Sequence, residues 1–586
     1  MASYRTPTQE IQFILNDVVN AGRLAAEIPA FAEATPDLLN GLVDEAAKLG
    51  EEVIAPLRAT ADIQGCRWDN GEVTVPDGFA NAYKMLSDGG WIGLASPIDF
   101  GGQGLPYTLA KVVDEIVSSA NVAFALYPGL TAGCFEGIHA SASEELKALY
   151  LPKLATGEWA GTMCLTEPGA GSDLASVKTR AIPQEDGSYR LEGAKIFISS
   201  GEHTMTENIV HFVLARMVDS PPGVKGLSTF IVPKYMVNAD ASLGARNAVV
   251  CTGIEHKMGI NGSCTCQIAF DGATGYLVGE PNAGIANMFV MMNNARILVA
   301  LQGMGLCELA TQNAIRYAQE RKQGRSISGK TTADVAIIDH ADVRRMLLRM
   351  KAINEGARVL AYDSAVFVDL SHHHPDAAVR EEAQDWVELN TPLAKAFITD
   401  AAFELGSLAV QVYGGHGYIR EHGVEQIVRD AKILAIYEGT NGIQAMDLVR
   451  RKLMLRGGRL PQRFFARVRA ELDADPAFSY LTAPLSTALQ ALEDTALWLT
   501  ASFKERPEDA GYGAVDFLRA FSLTYLGWAW LRMVKAAANH SDPVFRQLKT
   551  ATAHYFASHM LIEVPMLCSG VRAGAEDAMD LPAEAF

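Results

Sequence analysis

The sequence is short of basic residues. Its 586 residues include 50 Lys and Arg against 68 Asp and Glu, which gives a formal net charge of −18 and a pI near 5.2. A general nucleic-acid binder needs a basic face that displaces counterions, so this composition argues against one. A local basic groove for a phosphorylated ligand remains compatible with the charge balance.

Cysteine pairs spaced for metal binding are also missing. The eight cysteines include no Cys-x-x-Cys pair, which argues against a zinc ribbon. Cys264 and Cys266 are two residues apart and would share one face of a strand. We expect all eight to be reduced packing residues of a cytoplasmic protein. His372, His373 and His374 precede a proline and are predicted to lie in an exposed loop between helices, so we expect no metal site.

Apolar runs long enough to cross a bilayer, about 20 residues, are lacking as well. The most membrane-like stretch, 520–531, lies between Arg519 and Arg532 and is predicted to be a buried helix. Near the start, Arg5 and Glu10 interrupt any apolar segment. We therefore expect neither a secretory signal nor contact with a membrane.

The chain is long enough for three or four domains, since a domain usually holds about 100–200 residues. Helical periodicity is clear in 38–54 and 109–120. The predicted domains are an N-terminal helical domain (1–161), a β domain (162–281), a helical bundle (282–455) and an additional C-terminal helical domain (456–586). The predicted strands of the β domain are 189–193 and 195–198 around a turn, 209–215, 227–232 and 265–270.

The densest chemical signal is the glycine-rich segment 163–173, Met-Cys-Leu-Thr-Glu-Pro-Gly-Ala-Gly-Ser-Asp. Glycines let a backbone approach a ligand closely and turn its N–H groups outward. Thr166 and Ser172 add hydroxyl donors, so the segment suits a dinucleotide pyrophosphate. A tight turn at the entry to the β domain is the alternative interpretation.

Two further segments are weaker signals when taken alone. A strand would place Phe197 and Ser199 on one face, where a ring and a hydroxyl could contact a flavin, although an aromatic residue in a strand is usually core. The segment 411–418, Gln-Val-Tyr-Gly-Gly-His-Gly-Tyr, permits close backbone approach to a ligand. A helix C-terminus is its alternative interpretation.

The last signal is Glu438, which follows Ile436 and Tyr437 and precedes Gly439. A carboxylate in apolar surroundings can act as a base near neutral pH. A helix-capping role is the alternative for an isolated match.

Taken in order, the motifs at 166–173, 195–199, 321–324, 411–417 and 437–440 resemble those of the acyl-CoA dehydrogenase family. The resemblance runs from about residue 40 to residue 455. It implies a mostly α fold with a central β domain: a helical domain, a β-barrel domain and a helical bundle, here followed by a C-terminal helical extension.

The resemblance implies FAD as the cofactor. The residues matched to FAD binding are Met163, Leu165, Thr166, Gly171, Ser172, Phe197, Ser199, Arg321, Gln411, Gly414, Gly415 and Thr440. Among them, Gln411 to Gly415 would reach the FAD of a neighbouring subunit, which implies a homo-oligomer, with a dimer expected.

The resemblance also implies the reaction, the removal of an α-proton and a β-hydride from an acyl-CoA thioester to give the 2-enoyl-CoA. Glu438 matches the catalytic base, and electron-transfer flavoprotein would accept the electrons. The residues matched to substrate binding are Ser172, Asn293, Arg296 and Gly439.

The sequence departs from the common family pattern in places. Phe197 and Ser199 stand where many members have tryptophan and threonine, and Gln323 and Gly324 lead into Arg325 where many have Phe-Gly. The opening Tyr-Arg-Thr-Pro, the segment at 255–260 and the long C-terminus resemble a larger subgroup. That subgroup includes the 3-methylmercaptopropionyl-CoA dehydrogenases of dimethylsulfoniopropionate breakdown.

Several alternatives stay open at this point. Tyr127 is a candidate for the floor of the acyl pocket, or else a plain core residue. An acyl-CoA oxidase would share the fold but pass electrons to oxygen. A DNA-binding flavoprotein relative would need a basic C-terminal domain, whereas residues 456–586 end acidic. A scaffold with a dead site has nothing in its favour, because the motif residues are present.

Overall fold

A computed structural model describes residues 2–329, 332–472 and 476–586. The chain divides into two compact units, one formed by residues up to Asp44 together with Val299–Phe586, the other by Glu45–Leu298. Helices precede and follow one central β region along the chain, so the predicted fold class is confirmed. The four domain boundaries given above stay predictions.

The α-helices of the described residues are α1 Thr8–Phe13, α2 Arg23–Glu27, α3 Pro36–Lys48, α4 Leu57–Gln64, α5 Phe79–Asp88, α6 Tyr107–Ser141, α7 Glu144–Thr156, α8 Gly284–Glu320, α9 Ala341–His373, α10 Ala377–Tyr413, α11 Glu425–Lys432, α12 Asn441–Asp447, α13 Arg459–Leu472, α14 Ser479–Ser502, α15 Pro507–Ala537, α16 Pro543–His559, α17 Glu563–Ala573 and α18 Glu576–Met579. The strands are β1 Arg67–Asp69, β2 Glu72–Thr74, β3 Trp159–Cys164, β4 Arg180–Pro183, β5 Tyr189–Ser199, β6 Asn208–Met217, β7 Leu227–Pro233, β8 Tyr235–Val237, β9 Leu243–Arg246, β10 Val249–Ile254 and β11 Thr265–Val278.

The main sheet closes on itself. The long strand β11 pairs with β5 along most of its length and with β7 at its end. β4 bridges β5 and β6, and β6 pairs with β7. The strands β11, β5, β4, β6 and β7 therefore form a ring, to which β10 and β3 are added. Closure satisfies the backbone groups that open sheet edges would expose, and it confirms the predicted barrel.

Within the unit 45–298, the core lies where α6 packs on the barrel. Cys134 and Phe135 of α6 are buried together with Trp159 of β3 and Phe212 of β6. Gly161 allows this approach, because a Cβ there would lie 2.4 Å from the Cβ of Cys134. The β3 strand is thereby fixed just before the glycine-rich segment that follows it.

The other unit is built on the long helices α9, α10 and α15. Residues 520–531 of α15 are buried, as predicted for that apolar stretch. The side chain of Arg532 donates to Asp363 of α9, at 2.5 Å to Oδ2 and 3.0 Å to Oδ1, and to the carbonyl of Val18 at 2.7 Å. Tyr525 donates to the same carboxylate at 2.9 Å. These bonds compensate the cost of burying the Asp363 charge.

Some expectations about local structure were wrong. Strand β5 is continuous over Tyr189–Ser199, so there is no turn between the two short strands predicted there. The strands β1 and β2 form a hairpin that the helical assignment of 1–161 missed. The Asn70–Gly71 turn between them, with φ of 50° and 92°, is the signal that would have revealed it.

The histidine run was also misplaced. His372 and His373 form the last turn of α9 and His374 follows as its C-cap, so they are not a loop. Among the described residues, no group of three or more His, Cys, Asp or Glu is placed to hold a metal. All eight cysteines, which lie in the described ranges, are free thiols.

The candidate for a membrane span is α8 and not the 520–531 stretch. Of the helices in the part of the chain that the structure describes, α8 alone is long and apolar enough to cross a membrane by length and composition. Its most apolar window is 61% buried inside the protein. A buried core helix passes the same test, so this is weak evidence for a membrane span.

Candidate functional site

The glycine-rich segment begins where β3 ends at Cys164. Glu167 and Ala170 exchange backbone hydrogen bonds of 3.0 Å in both directions, which folds the segment into a tight loop. The backbone N–H of Ile196 on β5 donates to the carbonyl of Thr166 at 2.9 Å. The loop is thus attached to the barrel strand that carries the second motif.

A buried ion pair anchors this loop. Lys195 on β5 is fully buried, and its Nζ donates to Glu167 Oε1 at 2.8 Å and to the carbonyl of Leu165 at 3.0 Å. Thr179 donates to Glu167 Oε1 through its backbone N–H at 3.0 Å and its hydroxyl at 2.6 Å, and the N–H of Lys178 donates to Oε2 at 2.7 Å. Burial alone raises the pKa of Glu167, but Lys195 and these hydrogen bonds hold that pKa below its ordinary value.

The glycines of the loop are not required by protein packing. A Cβ added at Gly169 or Gly171 would meet no atom of the described residues within 4 Å. Ser172 is exposed beside them, while Thr166 is half-buried. The segment is therefore both the tight turn of the alternative interpretation and an open cradle that a ligand's phosphates would fit.

The second motif lies at a bulge in β5. Between the pairs Lys195–Ile268 and Ile198–Cys266 the register shifts, and Phe197 takes a left-handed φ of 59°. Its ring is 59% exposed, whereas Ile198 beside it is buried. Ser199 is half-buried. A bulge of this kind re-aims a side chain out of the sheet, so the Phe197 ring is available to a flat ligand and is not core.

Asn293 and Arg296 lie one helical turn apart on α8. The guanidinium of Arg296 donates to Asn293 Oδ1 at 3.3 Å and lies 5.6 Å from the centroid of the Phe289 ring. Arg296 is buried and Asn293 is exposed. Within the unit 45–298, α8 thus carries a buried cation whose orientation is fixed by two neighbours.

Tyr127 is a core residue. Its side chain is 1% exposed, and its ring lies edge-on to Phe79 and His203. Its hydroxyl donates to the carbonyl of Gly262 at 3.1 Å and accepts from the backbone N–H of Cys264 at 3.0 Å. The phenol therefore fixes the loop before β11, and the structure favours the core interpretation over an acyl-pocket floor.

In the other unit, the third motif is the C-terminal end of α10. Gly414, with φ of 59°, ends the helix, and an added Cβ at Gly414 or Gly415 would meet no described atom within 4 Å. Gln411 is exposed on the last turn. At Gly417, by contrast, an added Cβ would lie 2.4 Å from the carbonyl oxygen of Val410. The motif therefore ends the helix and also leaves an open surface at Gly414 and Gly415.

Arg321 follows the last residue of α8. Its side chain is exposed, and its Nη2 donates to Gln323 Oε1 at 3.5 Å. An exposed guanidinium with one weak internal bond suits contact with a phosphate.

Glu438 lies in a strained turn. Glu438 and Gly439 have φ of 56° and 84°, and a left-handed conformation costs a non-glycine residue about 1–2 kcal/mol. Gln444 Nε2 donates to the carbonyl of Glu438 at 3.4 Å. Thr440 caps α12 by accepting from the N–H of Ile443 at 3.3 Å. The turn is held by surrounding groups, as strained residues at functional sites usually are.

Tyr437 fixes the other side of this turn. Its hydroxyl donates to Gln302 on α8, and both side chains belong to the same unit. Burial and then the charge of Glu438 raise the pKa of Tyr437, so the phenol remains a proton donor.

Some residues that shape these loops had no predicted role. Glu167 and Lys195 anchor the glycine-rich loop, and Gln302 supports the turn at Glu438. Lys195 could have been noticed as a charge in an apolar strand. The structure groups the 163–172 loop with Phe197 and Ser199 in one unit, and Glu438, Gly439 and Thr440 with the α10 end in the other.

Family models cover most of the chain. Three describe acyl-CoA dehydrogenases: the N-terminal domain matches residues 39–158, the middle domain 162–273 and the C-terminal domain 282–453. A fourth, described as acetyl-CoA dehydrogenase C-terminal like, matches 464–582.

Relatives of known name match over nearly the full length. The chain is 42% identical to 3-methylmercaptopropionyl-CoA dehydrogenase of Ruegeria pomeroyi, covering 99% of both chains. It is 35% identical to a butyryl-CoA dehydrogenase of Syntrophomonas wolfei, covering 94% of both. An acyl-CoA dehydrogenase of Bacillus anthracis, solved in complex with FAD, matches with a TM-score of 0.69 at 23% identity, covering 84% of this chain and 83% of that one.

The anchor of the glycine-rich loop generates a prediction. Glu167→Gln keeps the shape but removes the charge that faces Lys195. A hydrogen bond to a charged group contributes about 1.5–3 kcal/mol, so we expect FAD affinity to fall about 10- to 100-fold. Flavin fluorescence titration of the apoprotein measures this.

The control is Glu192→Gln on the same strand, because Glu192 forms an exposed pair with Arg190. It should leave FAD affinity unchanged. The double variant Glu167→Gln/Lys195→Met removes both buried charges, and should recover thermal stability without recovering FAD affinity. Wild-type FAD affinity in Glu167→Gln would show that the pair does not position the loop.

Proposed function

The chain belongs to the acyl-CoA dehydrogenase family, and from this premise we propose that Glu438 is the base that removes the α-proton of the acyl-CoA thioester. The enzyme is an FAD-dependent acyl-CoA dehydrogenase. The observation that carries the proposal is the turn at Glu438, a strained backbone conformation held by several polar contacts. Such strain persists only where the surrounding structure determines it.

The residues present fit FAD. The open cradle at Gly169 and Gly171 suits its pyrophosphate, and the exposed ring of Phe197 suits its flat ring system. When bound, FAD supplies the hydride acceptor for the reaction. We propose that the chain's own part is to hold the substrate in line and to stabilise the enolate that forms as the α-proton leaves. Glu438 receives that proton.

Replacing the base tests this directly. Glu438→Gln removes the proton acceptor and nearly keeps the shape, so FAD content and acyl-CoA binding should stay normal. We expect anaerobic flavin reduction by saturating substrate to slow by at least about 10²–10⁴-fold, the usual share of a general base. Glu421 is an exposed carboxylate of the same unit, and Glu421→Gln is the control. Near-normal flavin bleaching in Glu438→Gln would place the base elsewhere.

We propose 3-methylmercaptopropionyl-CoA as the preferred substrate, with short and medium straight-chain acyl-CoAs as competitors. Two relatives support this, since their names state 3-methylmercaptopropionyl-CoA and butyryl-CoA as substrates. A thioether is close to a methylene in size and polarity. One methylene in an apolar pocket discriminates by only about 1–3 kcal/mol, so the preference should be graded.

A substrate panel measures the preference. We expect kcat/KM to be highest for 3-methylmercaptopropionyl-CoA and to fall by no more than about 10- to 200-fold for butyryl-CoA. Turnover with an artificial electron acceptor under nitrogen, compared with peroxide formation in air, separates a dehydrogenase from an oxidase. An optimum at very long or branched acyl groups would contradict the proposed substrate but not the proposed role of Glu438.

We further propose a cytoplasmic homo-oligomer, most simply a dimer, that contacts neither membranes nor nucleic acid. Electron-transfer flavoprotein fits the family as the electron acceptor. The end of α10 supports the assembly, because an open surface remains at Gln411, Gly414 and Gly415 that their own unit does not fill. We propose that this surface contacts the FAD of a neighbouring subunit.

An added side chain at that surface should weaken FAD binding without lowering the thermal stability of the fold. We expect Gly415→Val to keep the thermal stability, since a Cβ there has space, but to lose bound FAD. Gly570→Val, at another open glycine, is the control. Light scattering gives the assembly and the visible spectrum the FAD content. A flavin-loaded, active monomer would contradict the proposal.

A further inference from the structure

The conformation of the turn at Glu438 must be stabilised by groups outside the turn. Glu438 and Gly439 are consecutive left-handed residues, and only glycine adopts that conformation readily. The carboxylate points where the backbone of this turn directs it. Whatever holds the carbonyl groups of the turn therefore sets the position of the base.

A lysine of α10 holds one of these carbonyls. Lys395 is fully buried, and its Nζ donates to the carbonyl of Gly439 at 2.8 Å and to Asn441 Oδ1 at 2.8 Å. A buried ammonium is costly unless it is hydrogen-bonded, so its acceptors are held close to it. Lys395 lies well inside the 37-residue helix α10, which gives it a rigid base.

Asn441 also connects the turn to α10, as a hydrogen-bond donor. Its Nδ2 donates to the carbonyl of Ala396 at 3.1 Å, to Thr399 Oγ1 at 2.9 Å and to Asp400 Oδ1 at 2.8 Å. Thr399 in turn donates to the carbonyl of Lys395 at 2.7 Å. The residues directly after Glu438 are thus tied to one face of α10 through both a donor and an acceptor.

We propose that Lys395 and Asn441 are positioning residues for the base: they clamp the left-handed turn onto α10 and so orient the Glu438 carboxylate toward the α-carbon of the substrate. The proposal rests on the role of Glu438 given above. Lys395 acts through the turn and transfers no proton itself. A helix-anchored clamp of this kind fits a base that must be held in reach of a single carbon atom, because small displacements slow a reaction strongly.

The test uses the full-length, FAD-loaded enzyme with Lys395→Met, which keeps the length of the side chain and removes its donors. Anaerobic flavin reduction at saturating substrate should slow by about 10- to 100-fold, the cost of a misplaced reacting group. FAD content and the Kd of the 2-enoyl-CoA product should stay within about twofold of wild type. Asn441→Ala, which removes an acceptor of Lys395 and the bonds from Asn441 to α10, should act in the same direction.

A purely structural role of Lys395 is distinguished from a positioning role by making the same substitution in a variant that lacks the base. In a Glu438→Gln background, Lys395→Met should slow the residual reaction by less than about twofold, because residues that act as a unit are not additive. Lys504→Met, which alters an exposed lysine of the same unit, is the charge-loss control and should match wild type.

Each outcome is decisive. An equal slowing by Lys395→Met with and without Glu438 would overturn the proposal, as would normal flavin reduction in both Lys395→Met and Asn441→Ala. If Lys395→Met does not fold, Asn441→Ala still carries the test in both backgrounds. Failure of Glu438 itself as the base would show separately, as an unchanged rate in the Glu438→Gln single variant.

Discussion

A buried ammonium group needs oxygen acceptors, because without them its transfer out of water is very unfavourable. Two loops of this chain depend on that requirement. Lys195 donates to the carbonyl of Leu165 at the start of the glycine-rich loop, and Lys395 donates to the carbonyl of Gly439 beside the proposed base. Each lysine belongs to a regular element, β5 or α10, and each carbonyl belongs to an irregular segment. Each lysine thereby fixes an irregular loop, which has little regular hydrogen bonding of its own, to a rigid strand or helix.

The two anchors differ in how the charge is balanced. Lys195 faces a carboxylate, Glu167, which is itself bound by Thr179 and by the backbone of Lys178. Lys395 donates to a carbonyl and a side-chain amide. A salt bridge fixes its loop most firmly when both partners stay charged, and the lowered pKa of Glu167 keeps that carboxylate ionised. The contacts around Lys395 also reach a titratable group, because Asn441 donates to Asp400, whose pKa is raised by burial.

Sequence patterns predicted the fold class and the strands at 209–215 and 227–232, because short and nearly continuous apolar runs indicate buried strands. The closed barrel was predicted only through the family resemblance and not from these patterns, since closure depends on pairings between distant segments such as β11 with β7. The same limit applies to the anchors. Lys195 and Glu167 are 28 residues apart, and Lys395 and Gly439 are 44 apart. Residue types in a motif are visible in the sequence, whereas the partner that fixes a motif is not.

Phe197 and Glu438 show why secondary-structure periodicity is a poor guide to functional side chains. Both are non-glycine residues with left-handed φ, one at a bulge in a strand and the other in a turn before a helix. Regular alternation would have placed the Phe197 ring according to the register of β5, but the bulge shifts that register and exposes the ring. In each case the backbone leaves its preferred conformation at a residue that we propose contacts FAD or substrate. That departure is stable only because neighbouring buried groups, and not the local sequence, determine it.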